Sequence, residues 1–578
     1  MGPATKPTEG TEQMSTEEVR PRPWLDSYAE GVPDDIELPT GSLVDLIESS
    51  VKRFGPAPAL EFFGRVTTYR ELGDQIDRAA EGLRRLGVEH GDRVALVLPN
   101  CPQHIVAFYA VLRLGAIVIE HNPLYTPREL RHQFEDHGAT VVIAWDRVVE
   151  TIQKMPDDVA FEHVVSVDLT QAMPLSKRLA LRLPIAKARA ARQSLHAKVR
   201  RTIDWRSLVE GPRIRTSRPR PGLHDVALLQ YTSGTTGTPK GAILSHFNLH
   251  ANALQGRAWL PGLVEGREVV YGVLPMFHAY GLTLCLTFAM STGSRLVLLP
   301  RFDVDLVLDA AKKHPPTFLP AVPPIYRRLA EAAEQRGTDL SGIRFAISGA
   351  MNLPPETVEL WERVTGGMLV EGYGLTETSP VALGNPVGPT RRAGTIGVPF
   401  PSTEAKVVDP DDPTSERPTG EAGELLLRGP QVFQGYWRKP DASREVLIDD
   451  GWFRTGDIVS IDVDGFVTVV DRIKELIITG GFNVSPSEVE DAVRQHRSVA
   501  DVAVVGMPGE HGGEEVVAAV VLADGATLDE AAIRDFCREH LTAYKVPRRI
   551  VVVEELPTSL IGKVLRRKVR DDLMRAAG

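Results

Sequence analysis

From Ser42 onward, segments with apolar residues three and four apart alternate with short runs that are apolar throughout, and this alternation constrains the fold more than any other feature. Helices are expected over 43–54, 69–86 and 101–114, and buried strands over 93–98, 140–144 and 163–167. Strands that are apolar on both faces need helices on both sides, so the expected fold class is α/β with a large doubly wound region. Past Thr390 the pattern changes. Gly397 and the runs 404–408, 424–428 and 466–470 read as short strands between Pro, Gly and Asp clusters, with Asp464 and Gly465 as a hairpin turn, so a β-barrel-like unit is expected. From Asp471 a last α+β unit follows. A capping box at Ser487 and Glu490 opens a helix to about Gln495, then come strands over 499–505 and 515–522, a helix over 528–541 and a strand over 549–553.

The 578 residues exceed one domain, and 43% hydrophobic with 25% charged residues excludes a disordered chain. The net charge of −10 argues against a surface that grips nucleic acid, and no apolar run reaches the ~20 residues of a membrane span. Cys101, Cys285 and Cys537 are too few and too scattered for a disulfide framework or a metal knuckle, which points to a reducing, cytoplasmic setting. Residues 1–40 are rich in Pro, Glu and Thr, lack a signal-peptide pattern and are expected to be a flexible tail. Residues 169–203 hold no acid. They carry Lys177, Arg178, Arg182, Lys187, Arg189, Arg192, Lys198, Arg200 and Arg201 interleaved with leucines, a pattern suited either to peripheral contact with an anionic membrane or to plain solvation.

The chemistry is concentrated in 231–241, which follows an apolar strand over 226–229. Thr232, Ser233, Gly234, Thr235, Thr236, Gly237 and Lys240 combine hydroxyls, exposed backbone N–H groups and a cation, the donors that polyphosphate oxygens require. The loop is not that of nucleotide kinases, because Pro239 precedes Lys240 and Gly241 follows it.

Here the chain resembles the adenylate-forming superfamily of acyl-CoA synthetases, aryl-CoA ligases, luciferases and carrier-protein adenylation domains. Further similar motifs follow in the family's order: Gly372, Tyr373, Gly374, Leu375, Thr376, Glu377; Arg454, Thr455, Gly456, Asp457; Asp471, Arg472, Ile473, Lys474; and Ile561, Gly562, Lys563. The resemblance implies a large N-terminal AMP-binding domain, 41–471, of two doubly wound αβαβα subdomains plus a β-barrel, and a small mobile C-terminal domain, 472–578. It implies that a fatty acid of long or medium chain is joined to AMP from ATP with release of pyrophosphate, and then passed to CoA; aryl-acid CoA ligation and carrier-protein loading are the alternatives. ATP, Mg2+ and CoA are the cofactors and co-substrates implied, with a homodimer as an expected assembly.

The same resemblance implies roles. Glu377 would hold Mg2+, Thr376 would bond the α-phosphate, Asp457 and Arg472 the ribose, and Tyr373 the adenine, with Gly349, Ala350, Gly372 and Gly374 lining the nucleotide. Lys563 would bridge carboxylate and α-phosphate. His278, in the run 275–282, would gate the acyl site, and Leu282, Leu284, Leu286, Phe288, Val322, Val381 and Leu383 are candidates for an acyl tunnel. Lys474 would be the hinge, and Gly480 and Gly481 would leave room for pantetheine. At 348–354 the sequence departs from the family, since Ala350, Met351 and Asn352 make that wall bulkier.

Overall fold

The structure is a computed structural model describing residues 21–156, 158–159, 161–232, 239–472, 475–479, 482–509, 514–559 and 562–577. Two large sheets organise the N-terminal part. One runs Ile203–Asp204, His163–Val167, Val141–Trp145, Arg93–Val97, Ile117–Glu120, Val226–Thr232 and Lys240–Ser245 from edge to edge. Its neighbours are parallel except the last hairpin, where Thr232 faces Lys240 and Tyr231 faces Gly241. The expected strands are there because their side chains have no wet face: 141–145 is buried throughout.

The other sheet has nine strands, with Leu369–Gly374, Phe345–Ser348, Phe318–Ala321, Val269–Gly272, Arg295–Leu298 and Pro58–Phe62 at its parallel centre. Their carboxyl ends bring 275–278, 349–350 and 372–377 to one rim, where open α/β sheets put their ligands. Helices Leu43–Phe54 and Tyr69–Arg85 match the sequence pattern, each opened by a capping box, at Ser42 with Asp45 and at Thr68 with Glu71.

Short antiparallel strands Glu404–Val408, Gly423–Arg428, Trp452–Ile461, Leu447–Ile448 and Val467–Arg472 form a third sheet. In the C-terminal unit Glu514–Leu522 is the central strand, antiparallel to Val499–Pro508 on one side and parallel to Arg549–Val552 on the other, with its own apolar core. Its first helix, Pro486–Arg494, is capped by Ser485 and not by Ser487: the Ser485 hydroxyl accepts the Glu488 N–H at 3.1 Å. Glu490 is committed elsewhere, accepting from Val504 N–H at 2.7 Å and from Arg566 at 2.6 Å.

The second half of the expected flexible tail is tied down. Trp24 is buried at 3% exposure, and a Cβ on Gly465 would lie 2.5 Å from its own. The Tyr28 hydroxyl donates to Pro399 O at 2.7 Å and its ring meets Trp259 edge-on at 5.2 Å. One buried and one half-buried aromatic outweigh the polar composition that suggested disorder.

The basic insert forms helices Leu175–Ala180 and Ala186–Leu195, which leave Leu175, Leu179, Leu183 and Ile185 between 52% and 67% exposed. It is fastened at its far end, where Trp145 donates to Leu195 O at 3.0 Å and His196 bonds the buried Asp146. Among the described residues no helix is long and apolar enough to cross a membrane. All three cysteines are buried free thiols.

Candidate active site

The strand Leu369–Gly374 delivers the 372–377 motif. A Cβ on Gly374 would come 1.9 Å from Pro380 O, so only glycine lets the chain turn back there. The turn Thr376–Thr378 that follows buries Glu377, whose carbonyl accepts Phe433 N–H at 2.8 Å and whose Oε1 accepts the Tyr436 hydroxyl at 2.7 Å. A carboxylate has several lone-pair sites, so this bond is compatible with an ion on the same group, and its hard oxygens suit Mg2+. Lys240 reaches the same place: its Nζ lies 5.0 Å from the centroid of the Tyr436 ring.

The residues expected at the nucleoside also converge. The Tyr373 hydroxyl donates to Asp457 Oδ2 at 2.5 Å, and Asp457 is 2% exposed. Arg472 is set opposite Asp457 by strand pairing. The turn before Asp457 is braced by buried Glu424, which accepts Gly456 N–H at 3.1 Å and binds Arg454 at 2.5 Å.

On the facing wall, Tyr280 donates to Ile347 O at 2.8 Å and fills the space that a side chain on Gly349 would need. Ala350 takes a left-handed φ of 67°, a conformation non-glycine residues hold only under local constraint. His278 is half-buried; its Nδ1 accepts Tyr280 N–H at 3.2 Å, so the neutral ring carries its proton on Nε2, and burial pushes its pKa down to about 4. The loop holding it is fixed by Asn100, which donates to Leu274 O at 2.7 Å and accepts Met276 N–H at 2.8 Å.

Behind this wall runs an apolar cleft, lined by Trp259, Leu284, Phe288, Phe318, Phe400 and the 370–372 strand, with about 10 Å3 of open volume, room for about one water. A long acyl chain enters only if these side chains move. Of the expected tunnel residues, Leu284, Phe288 and Val381 line it. Leu282, Leu286, Val322 and Leu383 are buried core residues outside its lining. Glu371 does line it, and burial pushes its carboxyl up to about 8.

The C-terminal unit comes against this wall at Gly562. Ser559 and Lys563 bond each other through the Ser559 N–H to Lys563 O at 2.7 Å and the Lys563 N–H to Ser559 Oγ at 3.1 Å, making a tight turn with Gly562 at φ +80°. A Cβ on Gly562 would sit 3.6 Å from Met351 Sδ. The bulkier wall is therefore the surface on which the Lys563 turn rests. Ser233, Gly234, Thr235, Thr236, Gly237, Lys474, Gly480 and Gly481 lie outside the described residues.

Sequence reasoning missed Asn100, Glu371, Glu424 and Tyr436. Each is a polar residue at or within a buried apolar stretch, which is the signal that would have found Glu371 and Glu424.

The chain matches the AMP-binding enzyme family over residues 47–437 and the AMP-binding enzyme C-terminal domain over 488–563. The chain belongs to the AMP-binding enzyme family. It is 41% identical over 554 residues to a long-chain-fatty-acid–CoA ligase of Salmonella typhimurium, covering 95% of this chain and 98% of that one. A long-chain-fatty-acid–CoA ligase of Bacillus subtilis is 37% identical over 556 residues, again covering 95% and 98%. ATP-bound MatB from Rhodopseudomonas palustris superposes with a TM-score of 0.80 at 30% identity, covering 93% of this chain and 100% of that one.

Proposed function

We propose that this AMP-binding enzyme joins a long- or medium-chain fatty acid to CoA through an acyl-AMP intermediate. The carboxylate attacks the α-phosphorus of ATP, the P–O bond to pyrophosphate breaks, and the thiol of CoA then displaces AMP from the mixed anhydride. The observation that carries this reading is the convergence of Lys240, Glu377, Tyr373 with Asp457, and the Gly562–Lys563 turn around a wall that backs onto an apolar cleft. The likeness to fatty-acid ligases over nearly the whole chain supports the choice of acid.

In this reading 232–237 and Lys240 hold the phosphates, Thr376 bonds the α-phosphate, and Asp457 and Arg472 hold the ribose. Tyr373 lies against the adenine, and Gly349, Ala350, Gly372 and Gly374 line the nucleotide. Lys563 bridges the two reacting anions. Mg2+ on Glu377, when bound, offsets charge on the phosphate oxygens. Neutral His278 gates the acyl entrance without titrating. After adenylation the C-terminal domain turns about Lys474, and Gly480 and Gly481 make room for the pantetheine arm.

The test is pyrophosphate release with ATP and Mg2+ across fatty, aryl and short acids, each with and without CoA. Fatty acids should be preferred and give a thioester. Preference for aryl acids, or acyl-AMP that persists with CoA present, would move the assignment to an aryl-acid ligase or a carrier-protein loader.

Residues 169–203 add a peripheral, cytoplasmic membrane contact, favoured by four exposed aliphatic side chains among the basic ones. Replacing Leu175, Leu179, Leu183 and Ile185 by Ser should abolish co-sedimentation with phosphatidylglycerol vesicles while leaving turnover of a soluble short acid intact; unchanged sedimentation would leave the insert a solvated surface. Homodimer assembly belongs to the same proposal and is read by sedimentation velocity.

A further inference from the structure

Two groups of opposite charge, Lys240 and Glu377, face the same aromatic side chain from different sides. Tyr436 stands in a segment that runs beside the strand leaving the phosphate loop: Trp437 N–H donates to Gly241 O at 2.8 Å, and Ile243 N–H donates to Gly435 O at 2.9 Å. The Tyr436 backbone is further pinned by its N–H to Ser443 Oγ at 2.8 Å, and its ring packs edge-on against Phe433 at 4.9 Å. This side chain is 9% exposed and has little freedom to move. Its hydroxyl donates to Glu377 Oε1 at 2.7 Å, and its ring centroid lies 5.0 Å from Lys240 Nζ.

A lysine and a glutamate this close to one buried ring would gain by pairing directly, because attraction between opposite charges grows as water is excluded. Such a pair would remove the cation from the phosphates and the carboxylate from the metal. We infer that Tyr436 is a positioning residue that keeps these two groups apart and aimed: the ring face holds Lys240 by cation–π attraction, and the hydroxyl orients Glu377 for the metal ion. This rests on the proposed roles of Lys240 and Glu377.

Two variants separate the two halves of the side chain. Tyr436→Phe keeps the ring and loses the hydroxyl. With a non-hydrolysable ATP analogue present, Mn2+ binding read by electron paramagnetic resonance should weaken roughly tenfold, about the worth of one hydrogen bond to a charged group. The Mg2+ requirement for pyrophosphate exchange should rise in parallel, and excess Mg2+ should restore kcat with little change in KM for ATP. Tyr436→Leu loses the ring as well, and should raise KM for ATP together with the Mg2+ requirement. Lower melting temperature with unchanged Mn2+ affinity in Tyr436→Phe would show a packing role only and overturn the inference. Loss of nucleotide binding in Lys240→Ala but none of Mn2+ binding in Glu377→Gln would instead overturn the metal role of Glu377 on which it rests.

Discussion

Glu371 lies in the apolar cleft with its carboxyl raised from 4.5 to about 8, so at neutral pH the folded protein keeps a proton there that the unfolded chain releases. Where the native state binds more protons, stability falls as pH rises, here across the window from about 4.5 to about 8. Glu371→Gln should therefore match the wild-type melting temperature near pH 5 and exceed it by several degrees at pH 8.5, measured by scanning fluorimetry; parallel melting curves for the two proteins across that range would contradict the assignment. Asn100 and Tyr436 were not legible in the sequence for one physical reason. Asn100 works by bonding the backbone at Gly272 and Leu274, and Tyr436 by meeting Glu377, 59 positions away. No local period encodes such contacts. Lys240, Glu377, Asp457 and Lys563 were legible because each sits in a run of glycines and hydroxyls that serves no packing purpose.

At the level of elements, periodicity placed most of the helices and strands it proposed to within a residue or two, because the strands of parallel sheets are apolar on both faces and helices Leu43–Phe54 and Tyr69–Arg85 carry one apolar stripe each, but it marked none of the parallel strands at the centre of the nine-stranded sheet. It failed where one strong contact decides. Trp24 anchors 21–40 against the Asp464–Gly465 turn, so Trp24→Ala should lower stability by about 3–5 kcal/mol at that contact and expose this segment to limited proteolysis before the rest of the chain. In the C-terminal unit, Ser485→Ala should cost about 1 kcal/mol as the loss of a helix cap. Glu490→Ala should cost about 2–3 kcal/mol, because it leaves the buried Val504 N–H unsatisfied and removes one of the two carboxylates on Arg566, which keeps Glu475. Urea unfolding of both variants checks the order, and equal costs would return the capping role to Glu490.

Across the whole molecule, the two domains meet where the Gly562–Lys563 turn rests on Met351. Motif order revealed that there are two domains and which residues each supplies, whereas this contact depends on a thioether and a glycine more than 200 positions apart, and nothing in the sequence marks it. Gly562→Val adds a branched side chain at a φ of +80° facing Met351 and should slow adenylation tenfold or more while sparing thioester formation from acyl-AMP. The most direct test of the account is Lys563→Ala assayed in both half-reactions. Acyl-AMP formation should fall by about 10²–10³, the usual cost of removing one charge-stabilising group from a transition state, with conversion of supplied acyl-AMP and CoA unchanged. Equal loss in the two half-reactions, or undiminished acyl-AMP formation, would contradict it.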